Sequence, residues 1–256
     1  MKSALLVITL MVVVVLAAGV RLLDEGKQAL ESRPAKVGRD VQARSAEGPQ
    51  AVDLAEWCEK DAGAAVAWAM NQDPAKRDEA LAVIVVEAAS TRPAEAVKWA
   101  QAIGDGKTRG ETLGFAAAQL AVNDAGAVFD LLARVEGEDP AVRLAVEKMA
   151  LPALAERDPV RVAEWLSEGK ASPAVLPHAV VTTVQRWVQQ DAPAAAAWVG
   201  SFEDEQLRKA AVEPLVALWE KQGGDGLEGW IDSLPEGAVR SEASAALAAA
   251  MTGPRE

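Results

Sequence analysis

Residues 187–198 read WVQQDAPAAAAW, and residues 57–68 read WCEKDAGAAVAW. The arrangement decides the fold. Asp191 is followed by a small-residue run that closes on Trp198. An Asp at that place accepts backbone N–H bonds and starts a helix. Counting from the cap, Ala195 and Trp198 fall on one helical face, a small residue one turn before a large one. Working outward, six such segments align: DAGAAVAW (61–68), RPAEAVKW (92–99), DAGAVFDL (124–131), DPVRVAEW (158–165), DAPAAAAW (191–198) and GGDGLEGW (223–230). Their closing residues Trp68, Trp99, Leu131, Trp165, Trp198 and Trp230 are 31, 32, 34, 33 and 32 residues apart. Asp158-Pro159 and Arg92-Pro93 add a proline at the first helical position, where a missing N–H costs nothing.

Two further columns share this register. Apolar Trp57, Ala88, Leu120, Leu154, Trp187 and Trp219 stand four residues before each segment. Eleven residues before the second to sixth of these stand Arg77, Arg109, Arg143, Leu176 and Arg208, and Arg240 continues the column with Met251 eleven residues on. Between successive segments lies room for a second helix, opened by Asp73-Pro74, Asp139-Pro140, Ser172-Pro173 or the acidic run Glu203 to Glu205. Early acids suit the helix dipole. Its apolar face in the first copy is Ala80, Leu81, Ile84, Val85 and Ala88. The expected fold class is therefore all-α, a right-handed-type solenoid of about six helical hairpins. No single hairpin of this length buries both its faces, so the copies must stack.

Period, helix-pair content and small/large alternation resemble tetratricopeptide-type and HEAT-type repeats. The Trp-x3-Asp-Pro/Ala-x5-Trp variant is similar to uncharacterised repeat proteins of the bacterial envelope. The resemblance covers about residues 46 to 253 and is architectural, because the tetratricopeptide Tyr positions are empty in a chain with no Tyr. It implies scaffolding and peptide binding, with no catalysis.

Ahead of the repeats, Ser3 to Val20 is an uncharged run of eighteen residues. At 1.5 Å per residue it covers about 27 Å, close to a hydrocarbon core. Residues 1–23 are expected to be an uncleaved signal anchor or transmembrane helix crossing through residues 4–20, 24–49 a flexible tether, and 50–256 the helical-repeat array. The short polar start favours a single pass through an inner membrane with the array in the periplasm. Five basic residues after the run, Arg21, Lys27, Arg33, Lys36 and Arg39, argue for the cytoplasmic side instead. Residues 51–256 hold nineteen Lys/Arg against thirty-three Asp/Glu. Such an acidic body repels phosphate backbones, so nucleic acid is not an expected partner.

Chemistry has little to work with. One Cys, Cys58, and one His, His178, build neither an internal disulfide nor a four-ligand zinc site, so no metal and no cofactor is expected. His178 would have to centre any His-dependent catalysis, yet no motif supplies an oriented partner, and a helix-end role is the simpler reading. Glu203-Asp204-Glu205 suits a solvated helix start better than a cation site. Gly223-Gly224-Asp225-Gly226 lacks the strand and Lys of a phosphate loop and fits a weakened helix start. The Trp column, with Leu131, is expected to be the structural core of the repeats. The Arg column admits two readings: a ridge of guanidinium groups that binds a protein or peptide partner bearing carboxylates, or local pairs with neighbouring loops. The expected function is a membrane-anchored, protein-binding scaffold without enzymatic activity, the rivals being a passive spacer of the envelope and an enzyme centred on His178.

Overall fold

The structure is a computed structural model that describes residues 51–252. The expected membrane segment and the whole of the expected tether lie outside the described residues. Among the described residues no helix is long and apolar enough to cross a membrane.

Twelve helices and no strand occur among the described residues. They are α1 (Ala51–Met70), α2 (Pro74–Ala88), α3 (Pro93–Ala100), α4 (Gly106–Ala121), α5 (Ala125–Val135), α6 (Pro140–Arg157), α7 (Pro159–Ser167), α8 (Leu176–Trp187), α9 (Ala192–Gly200), α10 (Glu205–Lys221), α11 (Leu227–Ser233) and α12 (Ala238–Thr252).

The expected caps set the corners. Asp61, Asp124, Asp158 and Asp191 accept the backbone N–H three residues on, at 2.9 to 3.0 Å. All four have φ between −145° and −154° with ψ between 73° and 89°. One such residue turns the chain without a loop: Asp158 alone separates α6 from α7, and Asp61 bends α1 into two helical parts. Asp73 and Asp139 cap α2 and α6. At Ser172-Pro173 the structure differs from expectation. The backbone N–H of Val175 and Leu176 turn back to the Ser172 carbonyl, and α8 begins at Leu176, with Pro177 in its first turn.

Beyond α1, long helices (α2, α4, α6, α8, α10, α12) alternate with shorter ones. Each long helix packs on the next long helix, and all extensive packing joins helices one or two places apart in chain order. The deepest stripe of the short helices is Ala65, Ala96, Val128, Val162, Ala195 and Leu227, with Ala69, Ala100, Leu132, Leu166, Val199 and Ile231 one turn on; all twelve are buried. Positions four apart share a helix face, so this stripe points straight at the long helices. The apolar interior forms two clusters. One joins α1 to α2 and takes in Ile103; the other runs unbroken from Val85 in α2 to Ala243 in α12.

α4 and α6 pack most extensively of all pairs. Gly106, Gly110 and Gly114 line one face of α4 at intervals of four. A Cβ on Gly110 would stand 3.0 Å from the Val142 Cα, and one on Gly114 would stand 2.9 Å from the Ala145 carbonyl oxygen. The two backbones meet there because no side chain intervenes.

Candidate partner-binding edge

The five arginines of the column lie near the N-terminal ends of long helices, beside the loops that lead into them. In α2, the Arg77 Nε and Nη2 donate to the Asp78 carboxylate at 3.0 and 2.9 Å. In α4, Arg109 donates to the Ile103 and Gly104 carbonyls at 3.0 and 3.3 Å and to Glu138 at 3.2 Å. In α6, Arg143 donates to Glu147 at 2.7 Å and to the Lys170 carbonyl. In α10, Arg208 donates to the Phe202 carbonyl at 3.3 Å and faces Glu242 at 3.6 Å. In α12, Arg240 donates to Asp232 at 2.9 Å. Leu176, the exception in the column, packs half-buried against the apolar core. The five guanidinium side chains are between 11% and 36% exposed, so each is partly withdrawn from solvent and has a neighbouring carboxylate or carbonyl partner, while the Nε of Arg109 and of Arg208 is buried without a hydrogen bond.

Two carboxylates that the sequence reading did not single out complete this edge. The second oxygen of Asp78 accepts the backbone N–H of Asp105 at 2.7 Å, and that of Glu147 accepts the backbone N–H of Ser172 at 2.9 Å. Asp105 and Ser172 occupy equivalent places, four residues before Arg109 and Leu176. Both bonds run from a long helix to the loop that enters the next long helix. Burial opposes ionisation of Asp78, but backbone N–H bonds from Gly104 and Asp105, together with Arg77, outweigh it and hold the carboxyl below its ordinary range. The carboxylates could have been sought beside each Arg. They escape a column search because one stands one residue after its Arg and the other four.

With the arginines engaged, the charge left on this edge is negative. Asp73, Asp105, Glu136, Glu138, Asp139, Glu168, Glu203 and Asp204 are exposed along it, with Lys76, Lys107 and Lys170 between them. Asp204 in the acidic run caps α10 through the Leu207 N–H at 2.8 Å.

The aromatic column is less buried than the stripe beside it. Leu131 and Trp165 are buried, whereas Trp68, Trp99, Trp198 and Trp230 are half-buried. Where both columns carry Trp the rings pair: Trp57 with Trp68 at 6.0 Å, Trp187 with Trp198 at 5.9 Å and Trp219 with Trp230 at 5.9 Å between centroids. Trp198 also meets Phe202 edge-on and donates to the Ser167 hydroxyl at 2.9 Å. The last two pairs join a short helix to the end of the long helix before it, and Trp57 and Trp68 lie on either side of the Asp61 bend in α1.

His178 is exposed in the first turn of α8. Cys58 is buried with its Sγ 3.7 Å from the Ile84 carbonyl, and burial pushes its thiol up. Among the described residues no three His, Cys, Asp or Glu side chains gather as a metal site. Gly226 caps α11 with φ 81°, and the Asp225 carbonyl accepts from the Trp219 indole at 3.0 Å. Comparison with protein families, with curated proteins and with solved structures gave no match.

Proposed function

We propose that the chain is a helical-repeat scaffold, a solenoid of six hairpins held to a membrane by residues 4–20, that binds a protein partner and catalyses no reaction. The observation that carries this reading is the linear order of packing: each helix is packed chiefly on its chain neighbours, as in stacked repeats whose copies touch only the next copy. The alternation of long and short helices at the register of the Trp and Arg columns supports it. The right-handed sense of the solenoid and a periplasmic array belong to the same proposal.

The partner-binding edge is the one that the Arg column marks, with the sign of its ligand reversed. A ridge that selects carboxylates needs free guanidinium donors, and all five arginines are engaged with neighbouring carboxylates and carbonyls. Among the exposed charged groups carboxylates outnumber lysines, even with Asp73, Glu138 and Glu168 paired to Lys76, Arg109 and Lys170, so the partner is a protein surface or extended segment rich in Lys and Arg. Photo-cross-linkers placed singly at Glu138 and Glu168 on this edge, and at Lys98 and Ala197 on the short helices, test it in living cells. Cross-links to one protein confined to the first two positions, and weakened as salt rises, are expected. Equal background at all four positions leaves the passive spacer as the better account.

A further inference from the structure

We infer that the α1–α2 hairpin is a releasable flap, latched to the rest of the array by Arg77, Asp78 and the backbone at Gly104 and Asp105, and that it opens while α4 to α12 stay folded. Three observations carry this. The apolar interior divides at α2: one face of the helix closes the cluster with α1, and Val85 and Ala89 alone of its buried side chains join the cluster that continues to α12. In the other direction Ile103 crosses the seam, and half-buried Trp99 packs against both clusters. Few large side chains therefore bind the hairpin to α3 and α4, whereas every later seam lies within one continuous cluster.

The polar latch sits at this same seam. Asp78 holds the Asp105 N–H at 2.7 Å, and Arg77 neutralises the carboxylate from its other side. The fit is close, because a Cβ on Gly104 would stand 2.8 Å from the Arg77 Nη2 and 3.1 Å from the Asp78 Oδ2. Finally, a released hairpin has little to sustain it. Apart from Leu54, Leu81, Ile84 and Cys58, its own fully buried apolar side chains in the first cluster are alanines, and its other large side chains there, Trp57, Val66, Trp68 and Val83, are only half-buried. Loss of the latch thus leads to local unfolding of α1 and α2, the form that sub-global opening takes in native proteins. Opening also bares the Ala96, Val97 and Ala100 face of α3, which shares its cluster with Val85 and Ala89.

The single cysteine makes the event measurable, since Cys58 is 2% exposed and lies between α1 and α2. With the full chain in detergent micelles, the modification of Cys58 by an aromatic disulfide reagent is timed under native conditions. Loss of helical circular dichroism after a jump into denaturant, extrapolated to the same conditions, gives the rate of global unfolding. Cys58 is expected to react at least about tenfold faster than global unfolding allows. Asp78→Asn removes the charged acceptor and Gly104→Ala wedges the latch apart, so each should speed labelling about tenfold further and leave the global rate nearly unchanged. Labelling of the unaltered chain at the global rate overturns the flap. Variants that leave labelling unchanged, or raise labelling and global unfolding equally, overturn the latch.

Discussion

Three of the five seams between successive long helices show two different chemistries. α2 to α4 and α6 to α8 are tied by a carboxylate, Asp78 or Glu147, that reaches into the next loop and is neutralised by an Arg of the column. Between α4 and α6 no carboxylate of the helix reaches into the next loop; there Arg109 reaches the loop's Glu138, and Gly110 and Gly114 bring the backbones together. One solution costs desolvation of a charge and needs every bond made, the other costs helix propensity at each glycine and needs every Cβ absent. Neighbouring seams can thus do one structural task with unrelated residues, which is why a strict column of types does not describe them.

The largest break in that comparison should come from the glycine seam. Gly114→Val places a branched side chain where a single Cβ already meets the Ala145 carbonyl at 2.9 Å. A loss of about 3 kcal/mol is expected from such overpacking, read as a lower denaturant midpoint. If the midpoint holds, the α4–α6 approach is not tight.

At the carboxylate seam, Glu147→Ala leaves the Ser172 N–H and the Arg143 Nε without their acceptor. Glu147 is 1% exposed but Arg143 is 22% exposed, so solvent recovers part of the loss and about 2 kcal/mol is expected. Glu147→Gln should restore part of it, because an amide oxygen still accepts from Ser172. Equal losses in the two variants would show that the N–H bond contributes nothing.

Asp78 sharpens the comparison through pH. Its folded pKa is lowered, so its contribution is fully present above the unfolded value of about 3.9 and is lost as pH falls through the folded value. Asp78→Asn should cost about 1 kcal/mol between pH 5 and 8, and the two curves should begin to close below about pH 4 and meet below the folded value. A gap that persists in acid assigns the effect to packing. The smallest effect is expected at Arg240, whose partner Asp232 is 76% exposed: Arg240→Gln should shift stability by less than about 0.5 kcal/mol in a thermal melt. A shift as large as that at Glu147 would remove the distinction between enclosed and open pairs.

How much of this the sequence disclosed depends on which residues are asked. Helix class and corners were legible, since Asp61, Asp124, Asp158 and Asp191 are caps by type and sit where the caps form. The start of α8 was not, because Ser172-Pro173 carries the residue types of a helix start while Glu147, far off in sequence, holds the Ser172 N–H in a loop. The Arg register was visible and local pairing was one of its two readings, but the carboxylate partners were not visible: Asp78 and Glu147 stand at different offsets, and an exposed acid and an enclosed one look alike in a string. The spacing of Gly106, Gly110 and Gly114 was equally visible, but helix propensity reads glycine as a weakness until the facing backbone is known. For the Trp column, register was legible and depth was not. Size draws attention to the indole, while the deepest positions are the small residues three before it and the one just after it.

The tryptophan pairs have an optical consequence. The chain has eight Trp and no Tyr, so absorption near 280 nm and the fluorescence it excites come almost wholly from indoles. Pairs with centroids 5.9 to 6.0 Å apart lie at Trp57 and Trp68, at Trp187 and Trp198, and at Trp219 and Trp230. Transition dipoles at that range and a fixed tilt couple, and each pair contributes an exciton couplet to the circular dichroism that vanishes when its two rings part. Because the pairs sit in the first hairpin and in the last two, replacing one Trp of a pair with Phe silences one region and leaves the others reporting. The protein carries its own position-resolved probes of which end comes apart first.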